Sequence, residues 1–356
     1  MKPPAIFIAP TPTSLGWPSM NRYRQALAAE MPSGSKRPHF LWPDGPVEAP
    51  ASGRFISWFH RQVVYPRVIR AEVPAGAVLH VLDHSFAELL AHVRPGVCTV
   101  VTLHDLIPLD SPGDLRPSQL ARFRRRVAHL HQADAVVCVS EFTRQAALRL
   151  LALPEAKLHV IHNGASPLPA PDSAMQQRLA KLPPYVLSVG GTSARKNLQS
   201  LPSMMESLTK CGSSAVLVRA GPLLDPELAA EIRRHAQLVE LGPVSDAGLS
   251  AAYASAAVTI VPSLLEGFGL PVLEAMRAGC PVVHARSSSL PEVAGGAALD
   301  YDPTEPAEAA ARIHHLLHDA ELRQRLIQLG HERAGELTWR AHWEGLTRLY
   351  ARLADT

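Results

Sequence analysis

The sequence predicts an α/β protein built as two doubly wound parallel-sheet domains. Three observations carry this. Short apolar runs rich in β-branched residues recur along the 356 residues, separated by helix-like stretches. Unbroken apolar strands of that kind belong to parallel sheets covered on both faces. The runs also form two series, and between them residues 164–184 carry Pro167, Pro169, Pro171, Pro183 and Pro184 with little periodicity, as a linker or crossing segment does.

In chain order the first series is 5–9, 78–82, 97–103, 135–139 and 158–162. The second is 185–189, 215–219, 238–241, 257–261 and 281–284. The boundary is expected near residue 170, giving an N-terminal domain 1–170, a C-terminal domain 171–337 and a last helix 338–356. That helix carries Trp339, Trp343, Leu346, Leu349 and Tyr350 at helical spacing. Such a face has to be buried, and the N-terminal domain is one surface it could pack back on.

Bulk properties narrow the function. Hydrophobic residues make up 47% and the mean hydropathy is near zero, as in soluble globular proteins. A net charge of +3 does not suggest a nucleic-acid binder but suits anionic ligands or an anionic membrane surface. No run approaches the ~20 apolar residues of a membrane span, and the N-terminal apolar run is too short for a signal peptide. A cytoplasmic protein is expected, with peripheral contact at the inner face of the membrane left open. Cys98, Cys138, Cys211 and Cys280 form no Cys-x-x-Cys pair, which argues against a cysteine zinc site.

The densest chemistry follows the run 257–261. Its loop, Pro262-Ser263-Leu264-Leu265-Glu266-Gly267-Phe268-Gly269, leads into a helix whose first turn suits Pro271 and whose end suits Gly279. Ligands of open parallel sheets sit beyond the carboxyl ends of the strands. Gly267, Phe268, Gly269 and Leu270 therefore offer backbone N–H groups at a helix N-terminus, a good phosphate cradle, and the glycines permit close approach. Glu266 and Glu274 flank this anion site, eight positions apart. Beside a diphosphate, a carboxylate suits sugar or ribose hydroxyls. On spacing alone it is equally open that Glu274 only stabilises the helix N-terminus.

Two more strand ends stand out. After 185–189 come Gly190-Gly191-Thr192-Ser193-Ala194-Arg195-Lys196-Asn197. Arg195 can grip phosphate bidentately and Lys196 can act as a point charge. Their place after a strand and a glycine pair favours a phosphate site over solvated surface. After 97–103 comes His104-Asp105, at the ligand-facing edge of the first domain. One histidine among 17 is ordinarily structural.

Glu266-x7-Glu274 enclosing Gly-Phe-Gly-Leu-Pro resembles the signature of the large retaining glycosyltransferase family 4, the mannosyltransferase-like group 1 glycosyltransferases. Ala278-Gly279-Cys280-Pro281-Val282-Val283 and Leu290-Pro291-Glu292-Val293-Ala294-Gly295 continue the pattern in family order, most strongly over 185–303. The resemblance implies the GT-B fold, two Rossmann-like domains facing an interdomain cleft. It implies a GDP- or UDP-sugar donor, a glycan or lipid-linked acceptor, no metal and no further cofactor. His104-Asp105 resembles the motif of mannosyltransferase-like members, which favours mannose and implies that His104 contacts the transferred sugar. Arg195 and Lys196 would stabilise the leaving diphosphate in place of a metal, Glu266 would hold a hydroxyl of the transferred sugar, and Glu274 the ribose. Gly190, Gly191 and Gly267 to Leu270 would approach the phosphates. Leu241-Gly242-Pro243-Val244-Ser245-Asp246 resembles the nucleobase loop, with Val244 in contact through its backbone. One departure is that the usual glycine-rich loop after the first strand has here only Gly16, which is still assigned to the diphosphate.

Other readings stay open: an epimerase or phosphorylase on the same plan, or a non-catalytic partner subunit, although four intact charged residues speak against the last. Asp300-Tyr301-Asp302 spells the Asp-x-Asp of metal-dependent transferases, yet it reads as surface past the last strand. His129, His131 and Asp134, like His314 and His318, lack a convincing further metal ligand. Neither a nucleophile elbow nor a Walker phosphate loop is present. Two basic stretches, Arg54 to Arg70 and Arg116 to Arg126, suit either anionic lipid headgroups or a solvated helix face.

Overall fold

The computed structural model describes residues 4–12, 18–32, 38–41, 58–111, 113, 115–214 and 216–355. Gly16 and the first part of the basic stretch, 54–57, lie outside the described residues. The chain divides into two compact units, Met1–Asn163 with Trp339–Thr356, and Gly164–Thr338.

Unit 1 is built on a six-stranded sheet of β1 (Ile6–Ala9), β2 (His39–Phe40), β3 (Val78–Val81), β4 (Cys98–Leu103), β5 (Ala135–Cys138) and β6 (Leu158–Val160). Their spatial order is β2-β1-β3-β4-β5-β6, and every pairing is parallel. Side chains alternate between two apolar layers, as the period of two dictates. Ile8, Val78, Val100 and Val137 face Tyr23, Leu27, Trp339, Leu346 and Tyr350. Phe7, Leu79, Val101 and Val136 face Tyr65, Ile69, Phe86 and Leu130.

The C-terminal helix, Trp339–Ala354, belongs to unit 1 and buries Trp339, His342, Leu346, Leu349 and Tyr350. Its polar tips are all partnered inside the core. The Tyr350 hydroxyl lies 2.6 Å from His80 Nδ1, and His80 Nε2 lies 2.8 Å from Thr102 Oγ1. His342 Nδ1 donates to the carbonyl of His162 at 2.8 Å, which leaves Nε2 to accept from the Tyr23 hydroxyl at 2.9 Å.

Unit 2 repeats the plan with β7 (Tyr185–Val189), β8 (Val216–Ala220), β9 (Leu238–Gly242), β10 (Val258–Val261), β11 (Val282–Ala285) and β12 (Leu299–Tyr301). The order is β12-β11-β10-β7-β8-β9, again all parallel. The chain winds outward from β7 on one side and from β10 on the other. The crevice between their carboxyl ends is the topological switch point, where such sheets bind ligands.

Two edge strands, β2 and β12, were not foreseen in the sequence. β2 has only two residues. In β12, Tyr301 is buried while Asp300 points outward, so no continuous apolar run marks it. The Asp-x-Asp sequence therefore enters the last strand and does not lie beyond it. Asp300 pairs with Arg286 at 3.1 Å, and Asp302 accepts the Thr304 N–H at 2.9 Å. Both acids have local structural partners.

Candidate functional site

The switch point of unit 2 brings together the two motifs that follow β7 and β10. Glu266, in the loop after β10, is 7% exposed. Its Oε1 accepts from Lys196 Nζ at 2.5 Å and its Oε2 from Arg195 Nη1 at 2.9 Å. Arg195 Nη1 also reaches the carbonyl of Leu265 at 3.1 Å, and the Leu264 N–H donates to the carbonyl of Arg195 at 2.8 Å. The two loops are thus stitched through backbone and side chain. Burial alone would raise the Glu266 pKa, but Lys196 and then Arg195 outweigh it, and the carboxyl lies below its ordinary range. Glu266 is therefore an anion near neutral pH.

A third loop, after β11, holds Glu266 from behind. Ser288 has a left-handed backbone (φ 49°), and its Oγ accepts the Glu266 N–H at 3.0 Å. Ser289 Oγ lies 3.0 Å from the Glu266 carbonyl and 2.8 Å from that of Phe268. Ser287 Oγ donates to the Ser263 carbonyl at 2.6 Å. The helix after the β10 loop, Leu270–Arg277, is capped by Gly269, whose φ of 104° suits only glycine. A Cβ there would also lie 2.8 Å from Leu290 Cδ2. Gly267, Phe268, Gly269 and Leu270 thus lead into the helix N-terminus beside the Glu266 cluster. Glu274, one turn into the helix, accepts from the Tyr253 hydroxyl at 3.2 Å.

Gly190 and Gly191 form the turn after β7, and one buried side chain fixes it. Arg219, at the end of β8, is 1% exposed. Its guanidinium donates to the carbonyls of Ser188 (3.2 Å), Ala220 (2.6 Å) and Gly191 (3.0 Å), and to that of Gly190. Burial lowers its pKa to about 10, with Glu240 opposing. Gly221 leaves room for this clamp, since a Cβ there would sit 2.2 Å from the Gly190 carbonyl oxygen. A Cβ on Gly190 would in turn lie 3.7 Å from Lys196 Nζ, so the clamped turn adjoins the lysine ammonium. Sequence reading missed Arg219, Tyr253, Ser288 and Ser289. Of these only Arg219 carries a signal, a charge inside an apolar run, because a buried guanidinium requires partners.

Val244 lies past the carboxyl end of β9, where the Gly221 N–H donates to the Gly242 carbonyl at 3.0 Å. It is at the same edge of the sheet as Glu266 but two strands away from β7. His104 belongs to unit 1, at the carboxyl end of β4. Its Nε2 lies 2.8 Å from the Leu82 carbonyl, its N–H donates to His84 Nδ1 at 3.4 Å, and Tyr23 meets its ring edge-on at 4.9 Å. Burial lowers its pKa, with Asp83 opposing. Asp105 accepts the Ile107 N–H at 3.1 Å, a loop-orienting bond. Ser140 caps the helix Glu141–Leu151 by accepting the Thr143 N–H. Among the described residues no group of three His, Cys, Asp or Glu side chains could hold a metal ion, and no helix is long and apolar enough to cross a membrane.

Two cations, a buried carboxylate and a helix N-terminus thus lie together at the switch point of a doubly wound α/β unit. The family described as Glycosyl transferases group 1 matches residues 171–333, and that described as Glycosyltransferase Family 4 matches residues 21–167. The chain is 30% identical over 254 residues to the O-antigen chain mannosyltransferase B of Escherichia coli, covering 67% of this chain and 66% of that one. It is 28% identical over 290 residues to the serotype-specific mannosyltransferase WbdA of Escherichia coli, covering 72% of this chain and 34% of that one. The chain thus spans about two thirds of the first relative's length and about a third of the second's. Among solved structures, a sucrose-phosphate synthase from Thermosynechococcus elongatus superposes with a TM-score of 0.74 at 21% identity, covering 98% and 99% of the two chains. The chain belongs to the group 1 glycosyltransferases of family 4, on the GT-B fold.

Proposed function

We propose that the chain is a retaining hexosyltransferase that moves a sugar, mannose in preference, from a GDP- or UDP-sugar to a glycan or lipid-linked acceptor without a metal. The observation that carries the reading is the bridging of Lys196 and Arg195 by buried Glu266 at the switch point of unit 2. The carboxylate uses one proton on each cation and holds both in place. Their remaining N–H groups are the donors we assign to the diphosphate, where fixed cations stabilise the charge that develops as the sugar leaves. The amides from Gly267 to Leu270 add to this.

Glu266 has acceptor lone pairs beyond the two used by the cations, and we assign one to a hydroxyl of the transferred sugar. Glu274 takes the ribose hydroxyls, with Tyr253 orienting it. Val244 meets the base through its backbone. In unit 1 the substrate contact is assigned to His104. The mannose preference is supported by His104-Asp105 and by the mannosyltransferase names of the two Escherichia coli relatives.

The test is calorimetric titration with a panel of GDP- and UDP-sugars, followed by product analysis with and without acceptor. A transferase binds one donor selectively and forms a new glycoside of the donor's anomeric configuration only when acceptor is present. Conversion of the donor without acceptor, a requirement for free phosphate, or an inverted product each contradicts the reading.

A further inference from the structure

In unit 1 a second histidine, His84, stands beside His104 at the carboxyl ends of β3 and β4. In this sheet β2 lies on one side of β1, and β3 and β4 on the other, so the same edge holds the switch point of the first domain. Asp83, 4% exposed, ties the loops there together. Its Oδ1 accepts from the Ser85 N–H and hydroxyl at 2.7 Å, and its Oδ2 from Thr11 Oγ1 at 3.2 Å.

Backbone groups fix which nitrogen of each ring carries a proton. His104 Nε2 lies 2.8 Å from the Leu82 carbonyl. A carbonyl only accepts, so Nε2 bears the proton. Burial lowers the pKa of this ring, and the neutral form keeps a lone pair on Nδ1. His84 Nδ1 accepts the His104 N–H at 3.4 Å. A backbone N–H only donates, so in His84 the lone pair is on Nδ1 and the proton on Nε2. Asp83 Oδ1, 3.6 Å from His84 Nδ1 and already taken by Ser85, is too far to reverse that order. Each ring therefore has one open nitrogen of fixed sense, an acceptor on His104 and a donor on His84. Among the described residues neither has a protein partner, and neither is sealed in the interior. The rest of His84 is rigidly held. The residue is 7% exposed, Phe123 meets its ring edge-on at 5.7 Å, and its ring centre lies 6.3 Å from that of His104. A donor and an acceptor fixed side by side match hydroxyl groups, which offer both senses.

We propose that His84 is a second sugar-contacting histidine, whose Nε2–H donates to a hydroxyl of the same sugar ring that His104 contacts through Nδ1, with Asp83 positioning the turn that carries it. This rests on the transferase reading above, in which His104 meets the transferred sugar. A hexose without that hydroxyl leaves the His84 donor unpaired, so the pair selects among hexoses by the position of their hydroxyls.

Calorimetry on the full chain tests it. The probes are GDP-mannose and its monodeoxy analogues, or UDP-glucose and its analogues if GDP-mannose does not bind. His84→Asn keeps an amide oxygen near Nδ1 for the His104 N–H and removes the donor at Nε2. It should weaken the full sugar roughly three- to tenfold, as loss of one neutral hydrogen bond does. One deoxy analogue, already weak on the wild type, should be weakened no further. His84→Gln carries an amide N–H out to the Nε2 position and should recover part of the loss. Binding of GDP or UDP alone, unchanged in both variants, reports an intact fold and donor site. Unchanged sugar affinity in His84→Asn, or equal weakening of every analogue, overturns the contact while the transferase reading stands. Nitrogen-15 spectra of histidine-labelled protein should show His84 protonated at Nε2, and a proton on Nδ1 overturns the contact without any ligand. If neither nucleotide-sugar binds the wild type, the hexosyltransferase reading fails and the inference falls with it.

Discussion

Glu266, Arg195 and Lys196 act as one group, because each satisfies a charge that the fold has partly withdrawn from water. Removing one partner of such a buried pair commonly costs about 3–5 kcal/mol by leaving the other uncompensated. Variants at this position therefore need a check of folding before a rate is read. Arg219 offers a cleaner probe, because its guanidinium holds the Gly190-Gly191 turn from behind and touches none of the three. We regard it as a positioning residue. Arg219→Lys keeps the charge but loses the fork that spans four carbonyls. It should stay folded and lower kcat roughly tenfold, as small misplacements of a catalytic group do, with the donor KM nearly unchanged. A wild-type kcat with only a lower melting temperature would reduce Arg219 to a packing role. The carboxylate and cations were legible in the sequence because chemistry at strand ends follows residue type. Their mutual bonding was not, since it depends on which two loops the strand order makes neighbours.

At the scale of elements, the C-terminal helix carries the clearest consequence. Burial holds His342 at about 4. Burial, followed by His342 and His104, holds His80 at about 3. Both are neutral in the folded protein. Below about 6.5, the ordinary histidine value, the unfolded chain binds protons that the folded chain refuses, so stability falls as pH falls towards those depressed values. The loss is about 1.4 kcal/mol per pH unit for each histidine. Urea melts of unit 1, followed by the fluorescence of Trp339 and Trp343, should show a marked drop between pH 7 and pH 5. His342→Gln should flatten that dependence, and an equally steep one in the variant would contradict the account. The helix itself was legible from its aromatic spacing, and the interior strands from their apolar runs. The edge strands were not, because a strand paired on one side, such as Leu299–Tyr301, needs no continuous apolar run.

Across the whole molecule, two sheets of the same type carry unequal information. In unit 2 the order places β7 beside β10, and the loops that follow them hold nearly every charged residue expected from the sequence. The expected GT-B fold agrees with the two parallel sheets and with the structural likeness to the sucrose-phosphate synthase. In unit 1 the order places β1 beside β3, and the sequence offers only His104 and Gly16 as candidates, the latter outside the described residues. The central claim is that fixed side-chain cations in unit 2, and no metal, carry the charge of the departing diphosphate. It is tested most directly by measuring sugar transfer by wild type and by folded Lys196→Ala, each with and without EDTA. The account predicts no effect of the chelator on the wild type and a fall in turnover of roughly a hundredfold or more in the variant, the scale of losing a preorganised charge stabiliser. Near-wild-type turnover by Lys196→Ala, or loss of wild-type activity in EDTA restored by a divalent ion, would contradict it.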